Sequence, residues 1–90
     1  MWQAIAGWID RRSRKTAERM IQETKAGGQI IRMVAHYQGR GPYSEYDLRA
    51  MLKKAQLDDR RVLPVMWELE DGGHAEKNLT FDGTVSWFVD

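Results

Sequence analysis

Apolar positions change their spacing several times along these 90 residues, and each change marks an element. From Trp2 to about Lys25, the residues Trp2, Ile5, Ala6, Ile9, Ser13, Thr16, Ala17 and Met20 share one helical face, which predicts a long amphipathic helix. Trp2, Ala6, Ile9, Ser13, Thr16 and Met20 step alternately by four and three, the spacing of a coiled-coil seam, although its middle is small and polar. Such a stripe serves either to pack across its own domain or to pair with a second copy. Gly27-Gly28 predicts the end of this helix, because glycine readily takes the left-handed cap conformation.

Gln29 to Tyr37 reads as a second helix with Ile30, Met33, Val34 and Tyr37 on one side, broken by Gly39-Arg40-Gly41-Pro42. A third helix starts at Ser44. Asp47, three residues on, completes a capping box, and Tyr43 with Leu48 has the spacing of a hydrophobic staple. Leu48, Met51, Leu52 and Ala55 form its buried stripe. A fourth helix follows Asp58, with Val62, Val65, Met66 and Leu69 on one face and Gly72-Gly73 closing it. Pro64 either kinks this helix or delays its start, since it lacks the backbone N–H that a helix interior needs.

His74 to Val89 predicts a β-hairpin folded at Asp82-Gly83. A two-residue turn pairs Phe81 with Thr84. A three-residue Phe81-Asp82-Gly83 loop pairs Thr80 with Thr84 and Leu79 with Val85, and it gathers the apolar side chains better.

Composition narrows the function classes. The chain has no cysteine, so disulfides and thiolate-bound metals are excluded. No apolar run approaches the ~20 residues that span a bilayer. Apolar residues precede the basic cluster at the amino terminus, the reverse of a secretory signal, so the expectation is a soluble cytoplasmic protein with no membrane partner. The net charge of +1 hides an asymmetry: +3 over residues 1–28, +3 over 29–55 and −5 over 56–90.

The pattern from Ser44 to Val89 resembles the winged helix-turn-helix superfamily. Leu48 and Leu52 in one helix, Leu57 before the turn, Val62, Met66 and Leu69 in the next, and Glu70-Asp71-Gly72-Gly73-His74 leading into the hairpin carry the resemblance. It is similar to MarR-like repressors and equally to the C-terminal winged helix of the replication protein A middle subunit, so it implies a fold and leaves the function open. The expected architecture is mainly α with a small β-hairpin. A long N-terminal helix over residues 1–26, which packs within the monomer or dimerises, precedes a winged-helix domain over residues 29–90.

In a winged-helix reader of duplex DNA the fourth helix enters the major groove, which places Arg60 and Arg61 against base edges. Arg49, Lys53 and Lys54 would then hold the phosphate backbone, with Lys77 of the wing adding a contact. This reading gives a dimeric transcriptional or replication regulator. Its difficulty is charge. Asp58, Asp59, Glu68 and Asp71 crowd the approaching surface, so Arg60 and Arg61 are also explained by pairing with neighbouring carboxylates.

The alternative is a protein-interaction module, an adaptor or inhibitor, that uses the acidic fourth helix and the hairpin. Its candidate surface comprises the basic cluster Arg11, Arg12, Arg14 and Lys15 together with Trp8, Trp67, Trp87 and Phe88. Trp8 and Trp67 are core residues instead if the first helix covers that flank. No catalytic constellation, metal site or cofactor motif is evident, and His36 and His74 stand apart, so an enzyme is not expected.

Overall fold

The predicted first and second helices are one. The computed structural model describes the backbone from residue 2 and side chains from residue 16, and it runs α1 (Trp2–Gln38) straight through Gly27-Gly28. The boundary expected between residues 26 and 29 therefore falls inside a helix. Neither glycine takes the left-handed conformation; the glycines that do are Gly39, Gly41, Gly73 and Gly83. Gly27 and Gly28 serve close approach instead. A Cβ on Gly27 would stand 2.8 Å from Val65 Cγ2 and 3.2 Å from Leu52 Cδ2, and one on Gly28 would stand 3.3 Å from Leu69 Cδ2.

That contact sets which face of α1 is buried. Gly27, Ile31 and Ala35, spaced by four, point inward, whereas Ile30 and Val34 are half-buried and Met33 and Tyr37 are exposed. The face expected from Ile30, Met33, Val34 and Tyr37 is thus rotated from the true one, because that expectation treated residue 29 as a fresh start.

After α1 come β1 (Tyr43–Ser44), α2 (Glu45–Lys54), a 3-10 turn (Asp59–Arg61), α3 (Val62–Asp71), β2 (Ala75–Leu79) and β3 (Val85–Val89). The fold is mainly helical with a small antiparallel sheet of three strands in the order β1-β3-β2. The capping box at Ser44 is present: Ser44 Oγ accepts from the Asp47 N–H, and the Asp47 carboxylate accepts from the Ser44 N–H, each at 3.1 Å.

Helix α2 ends with Gln56 at φ 61°, a left-handed position occupied by a side-chain-bearing residue, and Leu57 N–H closes back on Leu52 C=O at 2.9 Å. Helix α3 ends the same way, with Gly73 left-handed and His74 N–H on Leu69 C=O at 2.7 Å. Pro64 costs α3 nothing. The helix starts at Val62, so Pro64 lies in the first turn, where backbone N–H groups have no partner to lose.

The hairpin adopts the three-residue loop, with Leu79 opposite Val85 and Thr80 N–H bonded to Thr84 C=O at 3.0 Å. Strand β3 is central, because Tyr43 and Ser44 pair with Trp87 and Ser86 on its other edge. Leu48, Leu52, Val62, Val65, Met66 and Leu69 join Ile31, Ala35, Trp87 and Val89 in a single core.

At the hairpin tip the Asp82 carboxylate accepts from the Thr80 hydroxyl, then the Thr84 hydroxyl and the Thr84 N–H, and these bonds pull its pKa down to about 2. Because the folded value lies below the ordinary 3.8, the contribution is complete above 3.8 and disappears as pH falls through about 2. An NMR titration of Asp82 should show a midpoint of about 2, and Thr80→Val should move it back toward 3.8. A wild-type midpoint near 3.8 would mean that the Asp82 carboxylate does not make these bonds in solution.

Candidate interaction site

Ion pairs already occupy the arginines expected to read bases. Arg60 lies in the 3-10 turn ahead of α3 and grips Asp58 with two parallel bonds, Nε to Oδ1 at 3.1 Å and Nη2 to Oδ2 at 3.2 Å. Asp58 also caps that turn by accepting the Arg60 N–H at 3.0 Å. The side-chain bonds from Arg60 are the main cause of a lowered Asp58 pKa, and in return Asp58 raises that of Arg60.

Arg61 turns back to α1, where its Nε lies 2.8 Å from Glu23 Oε2. The approach is close but the N–H is not aimed at the carboxylate, so this is an ion pair without a directed hydrogen bond. Arg49 of α2 pairs with Asp59 at 3.1 Å. Three of the six residues assigned to nucleic acid thus face carboxylates of their own chain.

Lys53 and Lys54 are exposed at the end of α2, where a cation complements the helix dipole, and Lys77 is exposed on β2. The Gly39-Arg40-Gly41 loop is no open phosphate cradle. Arg40 pairs with Asp90 at 2.6 Å, and its carbonyl accepts the Val89 N–H at 2.9 Å.

The aromatic candidates separate. Trp87 is 3% exposed and donates its indole N–H to Glu70 Oε1 at 2.6 Å, so it belongs to the core and offers no docking surface. Phe88, on the opposite face of the same strand, is half-buried. Trp67 is 56% exposed, so α1 does not cover it. The side chains of Trp8, Arg11, Arg12, Arg14 and Lys15 lie outside the described residues.

What remains is the outer face of α3. Leu63, Pro64 and Trp67 are exposed side by side on it, with Glu68 and Asp71 alongside. No lysine or arginine occurs between Val62 and Asp71, and Lys25 and Arg32 of α1, which line a cleft with Glu68 and Asp71, form no ion pair with either. Carboxylates at a helix C-terminus oppose the dipole, by about 0.3–1 kcal/mol each at an exposed site, so a cation arriving there is favoured. An aromatic anchor with a charged margin is the chemistry of a protein interface.

Sequence reasoning missed two other exposed apolar sets. Leu79 and Phe81 project at the hairpin tip. Ile30, Met33, Val34, Pro42, Tyr43 and Met51 line a groove of about 700 Å3 between α1 and α2. Among the described residues no helix is long and apolar enough to cross a membrane, and no group of His, Cys, Asp and Glu gathers to hold a metal ion. No protein-family model, curated protein or solved structure matches the chain, so its functional reading rests on these surfaces.

Proposed function

We propose that the chain is a winged helix-turn-helix whose third helix docks a basic protein segment in place of the DNA major groove. The fold reading draws support from the order α-β-α-α-β-β, in which the short first strand pairs with the last and the hairpin forms the wing. One observation carries the functional reading: α3 exposes Leu63 and Trp67 beside Glu68 and Asp71 and contains no basic residue. Duplex DNA presents a negative charge about every 1.7 Å of its axis, so this helix would enter the groove against repulsion. A cationic peptide with an apolar anchor meets attraction and a place to bury the indole.

Low-salt shift assays with random-sequence duplex DNA should show no retarded complex. Pull-downs with the wild-type chain should retain a basic partner that Trp67→Ala weakens by about 2 kcal/mol, close to thirtyfold, as truncation of an interface tryptophan does. A shifted duplex that Arg60→Ala plus Arg61→Ala abolishes would sink this reading and restore the DNA-binding regulator.

A further inference from the structure

We infer that the outer face of α3 takes the N-terminal arm of a second copy of this chain, and that two copies exchange arms in a closed dimer. The inference rests on the docking role proposed for α3. It starts from α1, which is far longer than the body it packs on. Among the described residues, burial along α1 begins at Glu23, which pairs with Arg61 in the turn just ahead of α3, and Gly28 already meets Leu69 near the end of α3. Residues before Glu23 therefore lead away from α3, and a continuous helix cannot bend them back onto the outer face of their own α3.

The stripe that α1 buries nevertheless continues into this arm. Met20 and Ile21 lie seven residues before Gly27 and Gly28, so they share the face that packs against α3, yet they are 44% and 54% exposed. A helical extension of about 20 residues, with Met20 and Ile21 open to water, is marginal alone and gains stability from a partner.

Charge selects the occupant. The arm sequence sets Trp2, Ile5, Trp8 and Ile9 ahead of Arg11, Arg12, Arg14 and Lys15. Pairing arm with arm would bring two such clusters together, and like charges in apposition disfavour it. The surface of opposite sign and matching apolar content within this chain is α3, with Leu63, Trp67, Glu68 and Asp71. Since each copy carries one arm and one α3, reciprocal exchange satisfies both and closes with two-fold symmetry.

Sedimentation of the full chain, with circular dichroism melts confirming that each variant folds, tests this directly. Wild type is expected to be a dimer at low salt and to dissociate as salt rises. Glu68→Lys plus Asp71→Lys, or Arg11→Glu plus Arg12→Glu, should each raise the dimer dissociation constant by about tenfold or more. Mixing the two variants should restore a one-to-one heterodimer, because the retained arm fits the retained helix and the two reversed surfaces fit each other.

A monomeric wild type overturns the inference, as does a dimer indifferent to the α3 reversal, or a mixture that stays dissociated. Partner capture that still depends on Trp67 in a monomeric chain would mean that arm exchange alone is wrong and that α3 still docks a protein.

Discussion

Gly27→Leu is expected to destabilise the fold by about 3 kcal/mol or more, the upper range for overpacking a core. The cause is the distance between helices. Even a methyl group on Gly27 would lie 2.8 Å from Val65 Cγ2, closer than carbon atoms tolerate. Val65 cannot swing aside, because a β-branched residue in a helix has essentially one rotamer. Leu52 Cδ2 at 3.2 Å closes the other direction. Accommodation therefore requires α1 to move off α2 and α3, which opens the core between them.

Alanine separates two accounts of the glycine pair. In a helix interior, glycine to alanine gains about 1 kcal/mol of helix propensity. At Gly28 the nearest atom is the flexible end of Leu69 at 3.3 Å, so Gly28→Ala should be neutral or slightly stabilising. At Gly27 the clash outweighs the gain, and Gly27→Ala should lose about 1 kcal/mol net. Denaturant melts should thus rank Gly28→Ala at or above wild type, then Gly27→Ala, then Gly27→Leu well below. Equal losses for both alanine variants would mean that the chain breaks at Gly27-Gly28, as a capping role requires.

This pair also shows where the sequence stops being legible. Ser44 with Asp47, the Gly72-Gly73 stop and the three-residue loop before Thr84 were readable because each is decided by a few neighbouring residues and their hydrogen bonds. Gly27-Gly28 obeys no such local rule. Its conformation depends on Val65 and Leu69, some 40 positions away, and the energy of packing there outweighs glycine's poor helix propensity. Strand β1 was invisible for a related reason: Ser44 is both its last residue and the cap of α2, and only the remote Ser86 makes it a strand.

The candidate site divides along the same line. Helical phase sets Leu63 and Trp67 outside the Val62, Val65, Met66 and Leu69 stripe, but that α1 leaves their flank open depends on its remote packing through Gly27 and Gly28. That Arg61 is held by Glu23 could not be read locally either, since the pairing crosses from α3's start to α1. Trp87 carried its own signal in the alternation of Val85, Trp87 and Val89, which marks the buried face of a strand. Its place in a hairpin drew it toward the exposed set. Strand β1 on the far edge of β3 makes β3 central, and the helices packed on the sheet, with Glu70 of α3 at the indole, cover that face.

Trp87→Ala is accordingly expected to cost about 3–5 kcal/mol, the range for removing a buried aromatic side chain. The indole fills the space between the sheet and α3, and Tyr43 and Lys77 flank it on the neighbouring strands. A domain of this size has a small margin of stability, so the variant should be largely unfolded at room temperature. Trp87→Phe separates the two things the indole does. Phenylalanine keeps most of the apolar contact but leaves Glu70 without the N–H that bonds it at 2.6 Å.

Glu70 retains some access to water, so that loss should be about 1–2 kcal/mol, toward the low side for a hydrogen bond to a charged group. In a double-mutant cycle, Trp87→Phe with Glu70→Gln should cost less than the two single changes added. The contrast with Trp67 makes the assignment of roles testable. Trp67→Ala should leave the melting transition almost unchanged and weaken docking, whereas Trp87→Ala should abolish folding and docking together. If Trp67→Ala instead unfolds the chain while Trp87→Ala melts like wild type, the buried and exposed indoles have been exchanged, and α3 does not present the face proposed for it.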